Sequence, residues 1–385
     1  MKKTPFVSII IPVKNAQRTL DKTFEYLLKV EYPRDKMEII IGDGGSNDQT
    51  LNIIKKWQSQ YPFIKLVEIA NCQSPGYARN KILDIVTSEF IFFTDGDCAP
   101  CETWITDMLK IFAQDPKIGI VGGEIYTLVV DPDNLTELYC QHFRFNMVAP
   151  RYGYTIKQGY FPALTDKSPT QIAGHQAYFF VTANVAFRKQ AIDQAHARFW
   201  DEKTGEDMDF GLQIQQYGWK LYFEPNAKVD HMHRSDFAAL KKVWVTYGMA
   251  HPALLAKHAC NKLDIVFQIF GSWPKIPMLS FPSPIKGFIY VGYFQIMHLT
   301  GLLALLSAIS MIMGRVNSLN SSLLFVFSVL TLYSMRRYFD FCFQMKPYKH
   351  FFTWCKMKYL TNLMFTIGGL KRSMKFKTFC IEPSF

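Results

Sequence analysis

The sequence has little charge and no paired pattern of cysteines. Only 19% of its 385 residues are Asp, Glu, Lys or Arg, against 49% hydrophobic. A chain so apolar can bury enough surface to offset its ordering, which excludes a mostly disordered protein and leaves room for about two domains. The eight cysteines, at 72, 98, 101, 140, 260, 342, 355 and 380, are scattered. That excludes a small disulfide scaffold. Cys98 and Cys101 have the spacing of redox and zinc sites, but no second pair accompanies them, so they read as packing residues.

Acidic residues are nearly missing from the C-terminal stretch. Residues 336–385 hold ten Lys or Arg against Asp340 and Glu382, so +8 of the total +11 sits there and the first 335 residues carry only +3. A nucleic-acid-binding domain spreads its basic groups over a face, so no nucleic-acid partner is expected. A cationic stretch after apolar segments fits the cytoplasmic side of a membrane.

Charge is also missing from residues 287–314, where Leu299, Leu302, Leu303, Leu305, Leu306 and Ile309 form the centre of an uncharged run. At about 1.5 Å per residue, roughly 20 apolar residues cross the hydrocarbon core, so this run can span. His298 inside it reads as a neutral histidine bonded to a neighbouring helix. Residues 316–335 are uncharged too, but Asn317, Ser318, Asn320, Ser321 and Ser322 leave only Leu323 to Met335 strictly apolar. Topology favours a second span, because otherwise the basic stretch and the N-terminal body would face opposite sides. In the tail, Leu360, Leu363, Met364 and Ile367 recur at helical spacing between Lys356, Lys358, Lys371 and Arg372 and read as an interfacial amphipathic helix. Lys2 and Lys3 precede only a short apolar run, so no signal peptide is expected.

The body reads as alternating strands and helices. Phe6–Val13, Met37–Ile41, Lys65–Ile69 and Phe90–Thr94 are buried-type strands. Ser46 with Gln49 has the capping-box spacing ahead of Thr50, Ile53, Ile54 and Trp57, and Ser74 with Pro75 opens a helix through Ala78, Ile82, Ile85 and Val86. This order implies parallel βαβ units with binding groups at the carboxyl ends of the strands. Asn15, Asp43, Asp95 and Asp97 follow strands directly, so one rim gathers them.

Asp95 and Asp97 flank Gly96 and can share one hard cation, Mg²⁺ or Mn²⁺. Glu206, Asp207 and Asp209 either complement a helix N-terminus or supply a general base. His231 and His233, beyond a strand-like stretch, are candidate metal ligands.

Together, S-I-I-I-P-V-K-N from Ser8, D-G-G-S-N-D-Q-T from Asp43, S-P-G-Y-A-R-N from Ser74, F-T-D-G-D-C from Phe93, T-A-N-V-A-F-R from Thr182, G-E-D-M-D from Gly205 and V-D-H from Val229 resemble family 2 glycosyltransferases of the GT-A fold over about residues 5–250. The resemblance implies a Rossmann-like, mostly parallel sheet in a catalytic domain (1–250), followed by C-terminal transmembrane helices. It places Pro12, Val13, Asn15, Asp43, Arg79, Asp95 and Asp97 around a nucleotide sugar. Asp97 and His231 would hold the metal, with His233 in reserve. Asp207 would be the catalytic base, and Asn184 and Glu206 would face the sugar or acceptor. The remaining organisation is an amphipathic linker (251–285), a two-helix hairpin (286–336) and a basic cytoplasmic tail (337–385).

Two departures stand out. Gly44 occupies a position where many relatives have a second carboxylate, and Gln213 stands where an Arg often follows the E-D motif. The acceptor motif Q-x-x-R-W of processive synthases is also missing, since Gln215-Gln216-Tyr217-Gly218-Trp219 lacks the Arg, so a polymer channel is not expected. Leu240, Val243, Trp244 and Tyr247 form an apolar helical face, and Trp273, Pro274, Pro277, Pro282 and Pro284 interrupt the chain before the first span. The stretch from Gly122 to Phe180, with Tyr126, Tyr139, His142, Arg144, Tyr152 and Tyr154, is rich in groups able to meet sugars.

The expectation is an inverting, metal-dependent enzyme of the inner membrane, facing the cytoplasm. It would transfer one sugar from a nucleotide-sugar donor to a lipid-linked or polysaccharide acceptor, with membrane lipids as further partners. The alternatives are a polyprenyl-phosphate sugar synthase and a non-catalytic scaffold of a glycan-assembly complex.

Overall fold

A computed structural model describes residues 4–145, 147–148, 157–268, 277–314 and 317–381. Lys2, Lys3, Tyr152, Tyr154, Trp273, Pro274 and Glu382 lie outside the described residues. The chain divides into two compact units, one of residues 1–165 and 178–237, the other of residues 166–177 and 238–385.

In the first unit the order is β1 (Val7–Val13), α1 (Leu20–Leu27), β2 (Met37–Asp43), α2 (Thr50–Gln60), β3 (Ile64–Glu68), α3 (Pro75–Leu83), β4 (Phe90–Phe93), β5 (Cys98–Pro100) and α4 (Trp104–Phe112). There follow β6 (Ile118–Thr127), α5 (Leu135–Phe143), β7 (Gly159–Tyr160), β8 (Val185–Arg188), α6 (Lys189–Gln194), α7 (Glu206–Gln216) and β9 (Lys220–His231). The sheet runs β3-β2-β1-β4-β8-β6-β9-β5, with β7 also on β9. β3, β2, β1 and β4 are parallel, as are β6 and β9, whereas β8 and β5 run against their neighbours. This is the α/β, GT-A-like sheet that the motifs imply.

Both faces of the sheet are covered at its centre, which is why β1, β2 and β4 read as unbroken apolar runs rather than alternating ones. Ile9, Ile11, Ile39, Ile41 and Phe92 point to one side and pack with Phe24, Ile54, Trp104 and Met108. Ile10, Ile40, Ile91 and Phe93 point to the other and pack with Ile82, Phe187, Phe199 and Phe210. Two local expectations are corrected. Ser46 does not cap α2, which begins at Thr50 without a side-chain cap, because its hydroxyl is bonded to Asp43 instead. α3 ends at Leu83, leaving Ile85 exposed. Ser74 does cap α3, accepting from Tyr77 N at 3.0 Å.

The second unit holds α8 (Phe237–Gly248), α9 (Ala250–His258), β10 (Lys262–Gln268), β11 (Pro277–Pro282), β12 (Lys286–Gly292), α10 (Tyr293–Ile312), α11 (Ser318–Tyr338), α12 (Phe351–Phe376) and β13 (Thr378–Ile381). Its sheet runs β11-β10-β12-β13. The buried Asp264 of β10 accepts from Thr170 N, Thr170 Oγ1 and Ser280 Oγ at 3.2, 3.0 and 2.7 Å, binding segment 166–177 to this sheet. The uncharged run from 287 is divided between β12 and α10. α10 and α11, 20 and 21 residues long, are the two helices among the described residues long and apolar enough to cross a membrane. His298 Nε2 lies 3.0 Å from Tyr359 OH, as a bonded histidine should.

Candidate active site

Asp95 and Asp97 after β4, and Glu206 and Asp207 at the start of α7, gather around Arg79, while Asp43 at the end of β2 holds its own loop. At the end of β2, Asp43 is buried, and its Oδ2 accepts from Gly45 N and Ser46 N at 3.0 Å each, while Oδ1 accepts from Ser46 Oγ at 2.5 Å. Asn15, with φ of 54°, donates its N–H to Ser46 Oγ at 2.8 Å, and its side-chain oxygen accepts from Asn47 N at 2.9 Å. Gly44 N donates to Val13 O at 2.9 Å. Val13, Asn15 and Asp43 are thus joined in one hydrogen-bonded loop pair after β1 and β2. Gly44, in place of a second carboxylate, has Cys72 Sγ only 3.1 Å from where a Cβ would stand.

α3 supplies the arginine. Gly76 lets α3 approach the loop before α7 so closely that a Cβ there would meet Trp200 O at 2.4 Å. Asn80 fixes the same loop through Phe199 O and N at 2.7 and 3.0 Å. Arg79, only 4% exposed, then donates to Glu206 Oε1 at 2.9 Å and to Asp95 Oδ1 at 3.2 Å. Burial pushes the Asp95 carboxyl up, against the pull of Arg79 and with the push of Asp97. Burial and then the neighbouring Glu206 push the Asp207 carboxyl up from 3.8 to about 7, although Arg79 pulls the other way. Asp207 Oδ1 accepts from Met208 N at 2.8 Å.

β5 and β9 complete the cluster. Their antiparallel register sets Cys98 opposite His231, and Met232 N donates to Asp97 O at 2.8 Å. Asp95, Asp97, Cys98 and His231 each offer a ligand atom, all within 4.8 Å of one another. Asp97 Oδ1 and His231 Nδ1 are buried without a hydrogen-bond partner, an arrangement that costs free energy unless something else satisfies it. Carboxylates plus one imidazole suit a hard or borderline divalent cation, so these residues fit the expected metal. Cys98 is the member that sequence reading missed, although it directly follows the D-G-D run. Burial, Asp97 and Asp95 push its thiol well up.

Two placements differ from expectation. Asn184 does not reach the rim: it is 1% exposed, its Oδ1 accepts from Trp104 Nε1 and its Nδ2 donates to Glu124 O and Ala227 O, each at 2.8 Å. It pins β6 and β9 from inside. His233 is no reserve ligand, because its Nε2 lies 3.0 Å from Thr127 Oγ1 and its ring packs on Phe145. Gln213, at the position where an Arg is frequent, joins Asp209 Oδ2 to Arg198 O at 2.7 and 2.9 Å. Pro12 stands half-buried at the end of β1.

Residues 8–194 match the profile described as Glycosyl transferase family 2, and residues 102–364 match that of Glycosyl transferase family group 2. The dolichyl N-acetyl-alpha-D-glucosaminyl phosphate 3-beta-D-2,3-diacetamido-2,3-dideoxy-beta-D-glucuronosyltransferase of Methanococcus voltae is 25% identical over 265 residues, 67% of this chain and 76% of that protein. The probable glycosyltransferase YdaM of Bacillus subtilis is 25% identical over 236 residues, 59% of this chain, which spans only 50% of that relative. Among solved structures, the mannosyltransferase PcManGT from Pyrobaculum calidifontis, in complex with GDP-Man and Mn²⁺, is similar with a TM-score of 0.52. It is 18% identical, covering 96% of this chain and 88% of that one, a likeness of fold.

Proposed function

The chain belongs to glycosyltransferase family 2, and on that premise we propose that it moves one sugar from a nucleotide-sugar donor to a lipid-linked or polysaccharide acceptor at the inner membrane, with inversion at the anomeric carbon. The observation that carries this reading is Asp207, a carboxyl pushed up to about 7 inside the polar cluster of Arg79, Glu206 and Asp95. A base with that affinity for a proton is matched to removing one near neutral pH.

In the proposed reaction Asp207 takes the proton of the acceptor hydroxyl as its oxygen attacks the anomeric carbon. The bond from that carbon to the donor diphosphate breaks, and the diphosphate departs with the electron pair. Pro12, Val13, Asn15, Asp43, Arg79 and Asp95 bind the nucleotide portion, and Glu206 orients the sugar or acceptor. Asp97 and His231 would hold Mg²⁺ or Mn²⁺, which when bound neutralises charge on the departing diphosphate. Arg79 holds Glu206 and Asp95 in place by a buried two-way ion pair.

Membrane action is supported by α10 and α11, by the basic residues that follow them, which favour the cytoplasmic side, and by the lipid-linked substrate that the name of the Methanococcus relative specifies. The test is a screen of common sugar nucleotides with purified chain, Mn²⁺ or Mg²⁺ and membrane lipid extract. Release of nucleoside diphosphate that depends on the extract is expected; no release from any donor would sink the proposal.

A further inference from the structure

Helix α12 has two apolar faces, one packed along its length and the other only at its middle. Trp354, Met357, Thr361, Phe365, Gly368 and Arg372 recur every three or four residues and are buried. This face lies on α8 so closely that a Cβ on Gly248 would meet Phe365 O at 2.0 Å, and one on Gly368 would meet Val245 O at 2.1 Å. At about 100° per residue the opposite side carries Phe352, Tyr359, Leu363, Ile367, Leu370 and Met374. Phe352 is 84% exposed and Met374 78% exposed, with Ile367 and Leu370 also open.

Tyr359 and Leu363, midway along this outward face, pack with Phe294 and Met297 in the first turns of α10. Tyr338, at the end of α11, donates to Lys358 O at 3.1 Å. α12 therefore crosses the hairpin where one apolar helix starts and the other stops. Its open apolar residues flank that contact on the same side of the helix, and α10 and α11 are themselves mostly unburied. Exposed Lys356 and Lys371 stand beside them, the mixture that suits anionic headgroups above acyl chains and not a dry protein interface.

We propose that α12 lies in the plane of the membrane, with Phe352, Ile367, Leu370 and Met374 sunk to the boundary between headgroups and acyl chains. The inference rests on reading α10 and α11 as spans. It differs from the sequence pattern in using the side opposite the packed face rather than Leu360 and Met364.

The full chain is reconstituted in bilayers of phosphatidylcholine and phosphatidylglycerol brominated either high on the acyl chain or near its end. An extra tryptophan is introduced by Leu370→Trp or Met374→Trp, with Lys55→Trp on α2 as the aqueous reference. Both test positions are expected to lose fluorescence, relative to the wild-type chain, to the shallow bromines and less to the deep ones, with no loss at the reference. Absence of quenching at both positions in a carbonate-resistant chain overturns the proposal and leaves the spans standing. Extraction of the chain by carbonate overturns the spanning reading and this proposal with it. Cross-linking of two copies through position 374, without quenching, overturns it in favour of a second chain as the occupant.

Discussion

His231 Nε2 stands 3.4 Å from Asp97 Oδ1, brought there by the pairing of β5 with β9. Neither residue's own neighbourhood in the chain specifies the contact; one register between two strands does. Asp97 Oδ1, the atom that faces this nitrogen, is buried without a hydrogen-bond partner, and that makes the two a candidate ligand pair.

If that pair holds the cation, Asp97→Ala and His231→Ala should each abolish the extra thermal stabilisation that Mn²⁺ adds to a nucleoside diphosphate. Stabilisation by nucleotide alone should persist. Differential scanning fluorimetry with and without Mn²⁺ reads this directly, and an undiminished Mn²⁺ effect in either variant removes that residue from the ligand set.

Asp207→Asn should lower kcat by about 10²–10⁴-fold, the usual contribution of a positioned base, while donor affinity stays near the wild-type value. Steady-state kinetics paired with donor titration separates the two. A loss confined to KM would contradict the role.

Asp207 also sets a pH dependence with a definite sign. Its carboxyl is held to about 7 in the fold against 3.8 ordinarily, so between these values the folded chain keeps a proton that the unfolded chain has released. That contribution to stability is complete below about 3.8, is lost as pH rises towards about 7, and is flat above. Asp207→Asn should therefore melt at or above wild type at pH 8, with the gap closing towards pH 4. Activity runs the other way: kcat should fall about tenfold per unit below a limb near 7, because the base must be ionised.

Arg79→Ala should cost about 1–3 kcal/mol, because it leaves Glu206 and the partly open Asp95 without their shared cation. Urea denaturation measures it. Equal stability in Arg79→Ala would mean that the ion pairs are not closed in solution.

Asn184→Ala should lower stability by about 1–3 kcal/mol, since Trp104 Nε1, Glu124 O and Ala227 O lose their partner in the interior. The loss should appear in the thermal midpoint. A variant of normal stability with a raised acceptor KM would return Asn184 to the substrate.

Sequence alone determined the four leading strands: β1, β2 and β4 are apolar runs buried on both faces, which announce themselves locally, and β3 is a shorter edge strand with Lys65 and Glu68 exposed. It also placed Asp43, Asp95 and Asp97 at strand ends, since chain order and right-handed crossovers leave parallel strands ending on one rim. Ser74 as a cap and Arg79 in the cluster follow from one short motif. Tertiary structure decided the rest. Asn184 belongs to a motif next to the site yet points inward, because in the turn just before β8 its amide is taken by Trp104 Nε1, Glu124 O and Ala227 O. Ser46 has the spacing of a cap, but Asp43 competes for its hydroxyl and wins. Thr378–Ile381 pairs with β12, and no local pattern distinguishes such a four-residue strand from a loose tail. His231 meets Asp97, and Phe352 lies opposite the packed face of α12, only because elements far apart in the chain fix one another's register and rotation. Periodicity carries the local preferences, while contacts between distant residues exist only once the fold has closed.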